Sequence, residues 1–153
     1  MARIVELPPI QCNTYIDAAP HKVYDTLTTA SGWDAWFTQG AEVDARSEGS
    51  ILFRWVDFKV DHYSAENGGP VLEATPPQRF VFQWTPGDST TTIAFELEPL
   101  GPGTVVTVTE SGHTTSERDL EALVECAAGW GEALTLLKVY LEHGITYGPV
   151  PEP

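Results

Sequence analysis

One acidic residue stands where the alternation of a strand would turn its side chain into the interior. Glu110 follows Val106 and Val108 at intervals of two residues, which places all three side chains on one face of a strand. A buried carboxylate must be hydrogen-bonded, paired or protonated. Glu110 is therefore the candidate to hold a ligand hydroxyl or amine, or to act as a general acid or base, and Glu110→Gln would weaken ligand binding without unfolding the domain. The structural alternative is a strand-end residue that reaches solvent or pairs with Arg54.

Aromatic side chains are the other candidates for ligand contact, because the sequence contains 5 tryptophans and 6 phenylalanines. Alternation puts several of them on the inward faces of strands, where a helix packed over the sheet would leave a cavity. The predicted lining consists of Trp36, Phe37, Phe53, Trp55, Trp84, Phe95, Val108, Glu110 and Trp130. Apolar pockets with few polar groups are typical of small-molecule sites, although aromatic residues also pack cores. His62 and Tyr63 could reach the mouth of such a pocket.

The histidines and cysteines predict no metal centre. The four histidines match no HExxH pattern, and the only two cysteines, Cys12 and Cys126, fit neither a zinc spacing nor a disulfide framework. We interpret both cysteines as free thiols in a reducing compartment. No phosphate-binding glycine loop, dinucleotide fingerprint or Ser-His-Asp order is present, so no cofactor is expected.

The charge balance excludes several classes of partner. Eight basic residues against 22 acidic ones give a formal net charge of −14 over 153 residues. Such a chain is not expected to bind nucleic acid or an anionic membrane surface, because both attract lysine and arginine. No apolar run is long enough to cross a membrane and no signal peptide is visible, so we expect a cytoplasmic protein.

Residues 116–144 have the spacing of one long helix. Ser116 can cap its start, Asp119 occupies a capping-box position, and Gly144 suits its end. Its predicted buried face consists of Leu120, Leu123, Val124, Ala127, Trp130, Leu134, Leu137 and Leu141. Gly129 and Gly131 weaken the middle of the helix, which indicates a close backbone approach, a kink or unfilled space above the sheet.

The other side of this helix is also apolar towards its end. Leu136, Val139 and Tyr140 point away from the main face, and a helix that is apolar on both sides is covered on both sides. Short N-terminal helices or a second subunit could provide the cover, so a homodimer is an open alternative. Burial of Leu136 and Tyr140 by the short helices would remove this argument for a dimer.

The rest of the chain is mostly strand-like. We predict one strand at 10–17, a helix from Pro20, a short helix capped by Ser31, and then strands joined by short turns. These strands are predicted at 41–46, 49–56, 71–74, 79–84, 90–98 and 104–110, with 57–63 continuing or pairing with the second and a turn at 66–69. Short turns imply antiparallel neighbours, so the fold class is α+β, a curved antiparallel sheet covered by the long helix. One domain spans 10–144, and residues 1–9 and 145–153 are expected to be loose.

Several segments together resemble a known superfamily. They are IDAAPHKVYDTLT at 16–28, the Trp36–Phe37 pair, Gly49–Ser50, GPVLEATPPQRFVFQW at 69–84, TVVTVTESGH at 104–113 and the segment 129–144. In order and spacing they resemble the START-like (SRPBCC, helix-grip) superfamily, and within it the family of activator of heat-shock-protein ATPase homologues (AHSA). The resemblance implies about seven strands wrapped around the C-terminal helix, with a cavity in which members bind or transform apolar small molecules.

The resemblance leaves three functions open. We favour binding of a hydrophobic or amphipathic small molecule in the cavity, because no pair of titratable residues clearly converges on one site. One alternative is a cofactor-independent enzyme of the polyketide-cyclase or dehydratase kind, in which Glu110, with or without His62, moves protons. The other is a chaperone-associated or regulatory partner that acts through its acidic surface. Co-chaperone activity itself is not expected, because co-chaperone members carry an additional N-terminal domain and only nine residues precede Ile10.

Overall fold

The computed structural model describes residues 3–146. The elements in chain order are β1 (Ile10–Ile16), α1 (Pro20–Leu27), α2 (Ala30–Trp36), β2 (Glu42–Val43), β3 (Ser50–Phe58), β4 (Tyr63–Thr75), β5 (Arg79–Trp84), β6 (Thr91–Leu100), β7 (Gly103–Ser111) and α3 (Glu117–His143). None of the helices within 3–146 is both long enough and apolar enough to cross a bilayer. The part of the predicted loose tail beyond residue 146 lies outside the described residues.

The sheet has seven strands in the order β1-β7-β6-β5-β4-β3-β2, and every neighbouring pair is antiparallel. Register shifts interrupt the pairing of β4 with both of its neighbours, and such irregularities bend a sheet. The long helix α3 packs on the inner face through Trp130, Ala133, Leu134 and Leu137, all of them buried. The predicted α+β helix-grip architecture is therefore confirmed.

The predicted ends of α3 are correct, but its predicted inner face is wrong in the first half. Ser116 Oγ accepts from Asp119 N at 3.2 Å, and Gly144 adopts a left-handed conformation with φ of 68°. Leu120, Val124 and Ala127, however, are exposed, Val124 by 69%. The reason is that the Asp119 carboxylate is fully buried under the turn between β5 and β6, which rotates the first turns of α3 away from the face predicted from apolar spacing.

The predicted turn at 66–69 is also wrong, because these residues lie inside β4. A Cβ added at Gly68 would stand 2.0 Å from the carbonyl oxygen of Ile51, and one at Gly69 would stand 2.3 Å from that of Gln83. The glycines therefore allow the backbones of neighbouring strands to approach closely. The turn that joins β3 to β4 is formed by residues 59–62 instead.

Three shorter segments also differ from the prediction. The strand expected at 41–46 is reduced to Glu42–Val43. The second helix is capped by Thr29, whose side chain accepts from Gly32 N, and not by Ser31. The N-terminal arm, expected to be loose, is held by backbone hydrogen bonds from Leu7 N to His113 O and from Thr115 N to Val5 O.

The back of α3 is covered by the same chain. Leu136 and Tyr140, two of the three residues predicted on this side, are partly buried and pack against the core cluster, which includes residues of α1 and α2. This cover by the same chain weakens the argument for a homodimer from Leu136 and Tyr140.

Candidate functional site

A cleft of about 400 Å³ opens between the turn at 59–62 and the middle of α3. One wall comes from the hairpin of β3 and β4, and the other from α3. The lining residues are Phe37, Trp55, Phe58, Lys59, Asp61, Tyr63, Asn67, Trp84, Pro86, Ala122, Glu125, Cys126, Ala128, Gly129, Trp130 and Glu132. The cleft is large enough for a small organic molecule.

The glycine in the middle of α3 helps to create this space. Gly129 lines the cleft, and a Cβ built on it would have no neighbour within 4 Å. Close backbone approach is therefore not the reason for this glycine, and of the three readings of the sequence, unfilled space agrees best with the structure. Gly131 also has nothing within 4 Å of a built Cβ, but it is exposed and does not line the cleft.

Two indole rings form the floor of the cleft, and hydrogen bonds to one buried carboxylate fix their orientation. The Nε1 atom of Trp84 donates to Glu110 Oε2 at 2.8 Å, and that of Trp130 donates to Glu110 Oε1 at 2.7 Å. The two ring centroids are 5.5 Å apart. Because both N–H groups are already paired, the floor presents aromatic carbon to a ligand.

Glu110 lies beneath this floor. Its side chain is completely buried and accepts a third hydrogen bond from Thr91 Oγ1 at 2.6 Å. Arg54, the alternative partner considered from sequence, instead contacts Glu42 and Glu66 on the other edge of the sheet. The carboxylate therefore faces inward as alternation predicts, but it orients the two indoles and does not line the cleft.

The structure divides the predicted lining residues into two groups. Phe37, Trp55, Trp84 and Trp130 lie on the cleft, and Tyr63 lies at its mouth. Four others, together with Glu110, are buried outside its lining: Trp36, Phe53, Phe95 and Val108. The lining residues that sequence reasoning missed come from the hairpin of β3 and β4, from the loop after β5 and from α3. They are Phe58, Lys59, Asp61, Asn67, Pro86, Ala122, Glu125, Cys126, Ala128, Gly129 and Glu132. His62 is exposed and its ring contacts Asp57, outside the cleft.

The rim of the cleft carries an excess of negative charge. Lys59 Nζ lies 3.2 Å from Glu132 Oε2, so one ion pair bridges the turn and the helix. Asp61 and Glu125 have no ion-pair partner among residues 3–146. Burial and the nearby Glu125 raise the pKa of the Tyr63 hydroxyl, with a smaller contribution from Asp61.

Comparison with protein families identifies the chain. The sequence model of the family described as Activator of Hsp90 ATPase homolog 1-like protein (AHSA1) matches residues 17–142, which is most of the chain. The chain belongs to the AHSA1 family. The match begins directly after β1 and ends one residue before the end of α3, so it includes every element that lines the cleft. No curated protein sequence matches the chain significantly.

Solved structures share the fold of this AHSA1 chain. The protein SSP2350 from Staphylococcus saprophyticus has a TM-score of 0.74 at 24% identity, over 94% of this chain and 98% of that one. The Aha1 dimer from Colwellia psychrerythraea has a TM-score of 0.73 at 27% identity, over 90% and 98%. CalU16 from Micromonospora echinospora has a TM-score of 0.69 at 22% identity, over 93% and 85%. The START-like resemblance is thereby confirmed at the level of fold.

The AHSA1 chain also brings together three residues with metal-ligating side chains. The ligand atoms of Glu110, His113 and Cys126 lie within 4.8 Å of one another, and His113 Nε2 is 3.6 Å from Glu110 Oε2. Both oxygens of Glu110 already accept hydrogen bonds from the buried side chains of Trp84, Thr91 and Trp130. Burial raises the pKa of the Cys126 thiol far above its ordinary value, and the nearby Glu110 raises it further, so the thiol is protonated when no metal ion is bound. This donor set therefore fits a metal ion poorly.

The raised pKa of the Cys126 thiol, which lines the cleft, leads to a testable prediction. We expect iodoacetamide at pH 8 to alkylate Cys126 at least about 10-fold more slowly than an ordinary cysteine, because the thiolate is the reactive form. The measurement is the rate of mass gain in a Cys12→Ser variant. The same variant unfolded in urea is the control, and an equal rate in the folded and unfolded states would show that the thiol has an ordinary pKa.

Proposed function

We propose that this AHSA1 chain binds a hydrophobic or amphipathic small molecule in the cleft between the turn at 59–62 and α3. The observation that carries the proposal is the aromatic cleft itself, in which a bare helical position, Gly129, faces unfilled space. A helix gains about 1 kcal/mol when such a glycine is replaced by alanine, so an open position of this kind has a cost in stability. Gly131 has the same cost outside the cleft, so the proposal rests on the open space beside Gly129 and not on the cost itself.

The arrangement of acidic groups supports binding over catalysis. Glu110, the candidate general acid or base, does not line the cleft, and its oxygens are occupied by Trp84, Thr91 and Trp130. Asp61 and Glu125 lie at the rim and are exposed. A general base must come within hydrogen-bond reach of the proton that it removes, and the buried carboxylate would first have to lose an indole partner.

A pair of matched substitutions tests the site. Gly129→Leu should fill the cleft and lower the affinity for the neutral fluorescent probe N-phenyl-1-naphthylamine at least about tenfold, a change that corresponds to about 1.4 kcal/mol. Gly131→Leu, two residues along the same helix but outside the cleft, should leave the affinity unchanged. Both variants should be as stable as the parent or more so, because leucine is a better helix former than glycine. The measurement is a fluorescence titration together with thermal unfolding. Equal affinities for both variants would place the probe elsewhere.

Native mass spectrometry of the purified protein complements this titration. We expect a bound mass that leaves on denaturation. The Colwellia neighbour is described as a dimer, and the same spectrum shows whether this chain is a monomer or a dimer. The back of α3 packs against other residues of the same chain, so a second copy is not needed to cover it. We propose a second copy as an assembly partner and not as part of the binding site.

A further inference from the structure

We propose that the ligand of this cleft carries a positive charge, as an organic ammonium with an apolar body. This inference rests on the proposed function and names the class of ligand. Two independent features of the cleft support it, the aromatic wall and the unbalanced charge of the rim.

The aromatic wall is continuous from the turn to the helix. Its ring centroids lie 5.6 Å apart between Phe58 and Phe37, 5.5 Å between Phe37 and Trp55, 6.2 Å between Trp55 and Trp84, and 5.5 Å between Trp84 and Trp130. Tyr63 adds a ring 5.8 Å from Trp55. Ammonium groups are attracted to the electron-rich faces of such rings, tryptophan most strongly, and quaternary ammonium ligands are commonly held in cages of this kind.

The buried carboxylate of Glu110 also strengthens the attraction of the floor of the cleft for a cation. Trp84 and Trp130 both donate their indole N–H groups to Glu110. A carboxylate that accepts a hydrogen bond from the indole N–H draws the proton away from the nitrogen. More electron density then remains on the ring, and the attraction of the ring for a cation increases. The same arrangement leaves neither Trp84 nor Trp130 with a free indole N–H group to bind an anionic or carbonyl group of a ligand.

The charges at the rim of the cleft also favour a positively charged ligand. The cleft is lined by Asp61, Glu125 and Glu132 against a single cation, Lys59, and Lys59 is paired with Glu132. Two carboxylates therefore remain unpaired within the described part of the chain. A net charge of −14 adds a long-range field that attracts cations and repels anions.

Three probes built on one phenylpropyl chain test the inference. They are 3-phenylpropyltrimethylammonium, its neutral analogue with a tert-butyl group in place of the trimethylammonium, and the anion 4-phenylbutyrate. In low salt we expect the cation to bind about tenfold more tightly than the neutral analogue, and the anion to bind most weakly. The measurement is quenching of tryptophan fluorescence, because Trp55, Trp84 and Trp130 line the site.

A matched pair of variants assigns the charge effect to the rim. Glu125→Gln should lower the affinity for the cation about threefold and leave that for the neutral analogue unchanged. Glu121→Gln, one turn earlier on the same helix and outside the cleft, should change neither affinity. Loss of affinity for both probes in Glu125→Gln would mean that the variant disturbs the site and would contradict the charge effect.

The outcomes separate the two proposals. Equal affinity for the cation and its neutral analogue would overturn the inference and leave the proposed function in place. Tighter binding of 4-phenylbutyrate than of the cation would overturn the inference in the same way. Failure of all three probes, together with no response to N-phenyl-1-naphthylamine, would overturn the proposed function itself.

Discussion

Glu110→Gln is expected to destabilise the protein by about 2 kcal/mol, because this fully buried carboxylate accepts hydrogen bonds from Trp84, Thr91 and Trp130. The indole N–H groups of Trp84 and Trp130 can only donate, and they point at different oxygens of the carboxylate. A glutamine offers one oxygen and one amide nitrogen in their place. Whichever way the amide turns, one indole N–H faces another donor inside the core and loses its partner.

Urea unfolding followed by far-ultraviolet circular dichroism measures this loss. Glu98→Gln provides the control, because Glu98 is exposed on β6 and the chemical change is the same. A loss of about 2 kcal/mol is smaller than the stability of an ordinary domain, so the variant should remain folded. Equal midpoints for the two variants would show that Glu110 does not hold the indoles.

A double-mutant cycle tests whether Glu110 binds the indole N–H groups of both Trp84 and Trp130. Trp130→Phe removes one of the two donors, and in that background the glutamine oxygen can serve Trp84 while its amide nitrogen meets no N–H group. We therefore expect Glu110→Gln to cost less in the Trp130→Phe variant than in the parent, which gives a coupling energy of about 1 kcal/mol or more. Additive effects would contradict an opposed pair of donors.

The alternation of side chains predicts the sheet of this protein well but predicts its cleft only in part. Phe53 and Trp55 have the same parity on β3, and both are buried, yet only Trp55 lines the cleft. The difference depends on where α3 crosses the sheet, which is set by contacts distant in sequence. Parity tells which face a residue occupies, but it cannot tell how far along the strand the helix leaves room.

The errors in the sequence analysis share a physical cause. Gly68 and Gly69 follow an asparagine, a local pattern typical of a turn, but pairing on both sides holds them in β4. Leu120 and Val124 have helical apolar spacing, but the buried carboxylate of Asp119 decides which side of the helix faces the sheet. In both cases tertiary contacts outweigh a local preference of at most about 1 kcal/mol per residue.

Asp119→Ala is expected to destabilise the protein by roughly 3 kcal/mol, because this carboxylate ties the start of α3 to the turn after β5. Oδ1 accepts from the backbone nitrogens of Asp88 and Ser89 at 2.8 and 3.0 Å. Oδ2 accepts from Ser89 Oγ at 2.6 Å and from Thr114 N and Oγ1 at 2.9 and 2.6 Å. Alanine would leave all of these donors without a partner on the helix.

Asp119→Asn should cost less, about 1–2 kcal/mol, since its oxygen can keep the two backbone donors of the turn while its amide nitrogen opposes Thr114 N. Thermal or urea unfolding at pH 7 measures both variants. Glu117→Gln, an exposed change in the same first turn of α3, serves as the control. If Asp119→Ala were no less stable than this control, Asp119 would not hold the turn.

The pH dependence of the difference between the parent and Asp119→Asn isolates the charge of this carboxylate. Burial alone would raise the pKa of Asp119, but hydrogen bonds from Ser89 and Thr114 outweigh it and hold the folded-state pKa well below the ordinary 3.8. A lowered folded-state pKa contributes stability that is fully present above the unfolded-state value and is lost as the pH falls below it. The advantage of the parent over Asp119→Asn should therefore stay constant from pH 7 to pH 5 and shrink steadily below pH 4. A difference that stays constant down to pH 2 would mean that the hydrogen bonds do not depend on the charge.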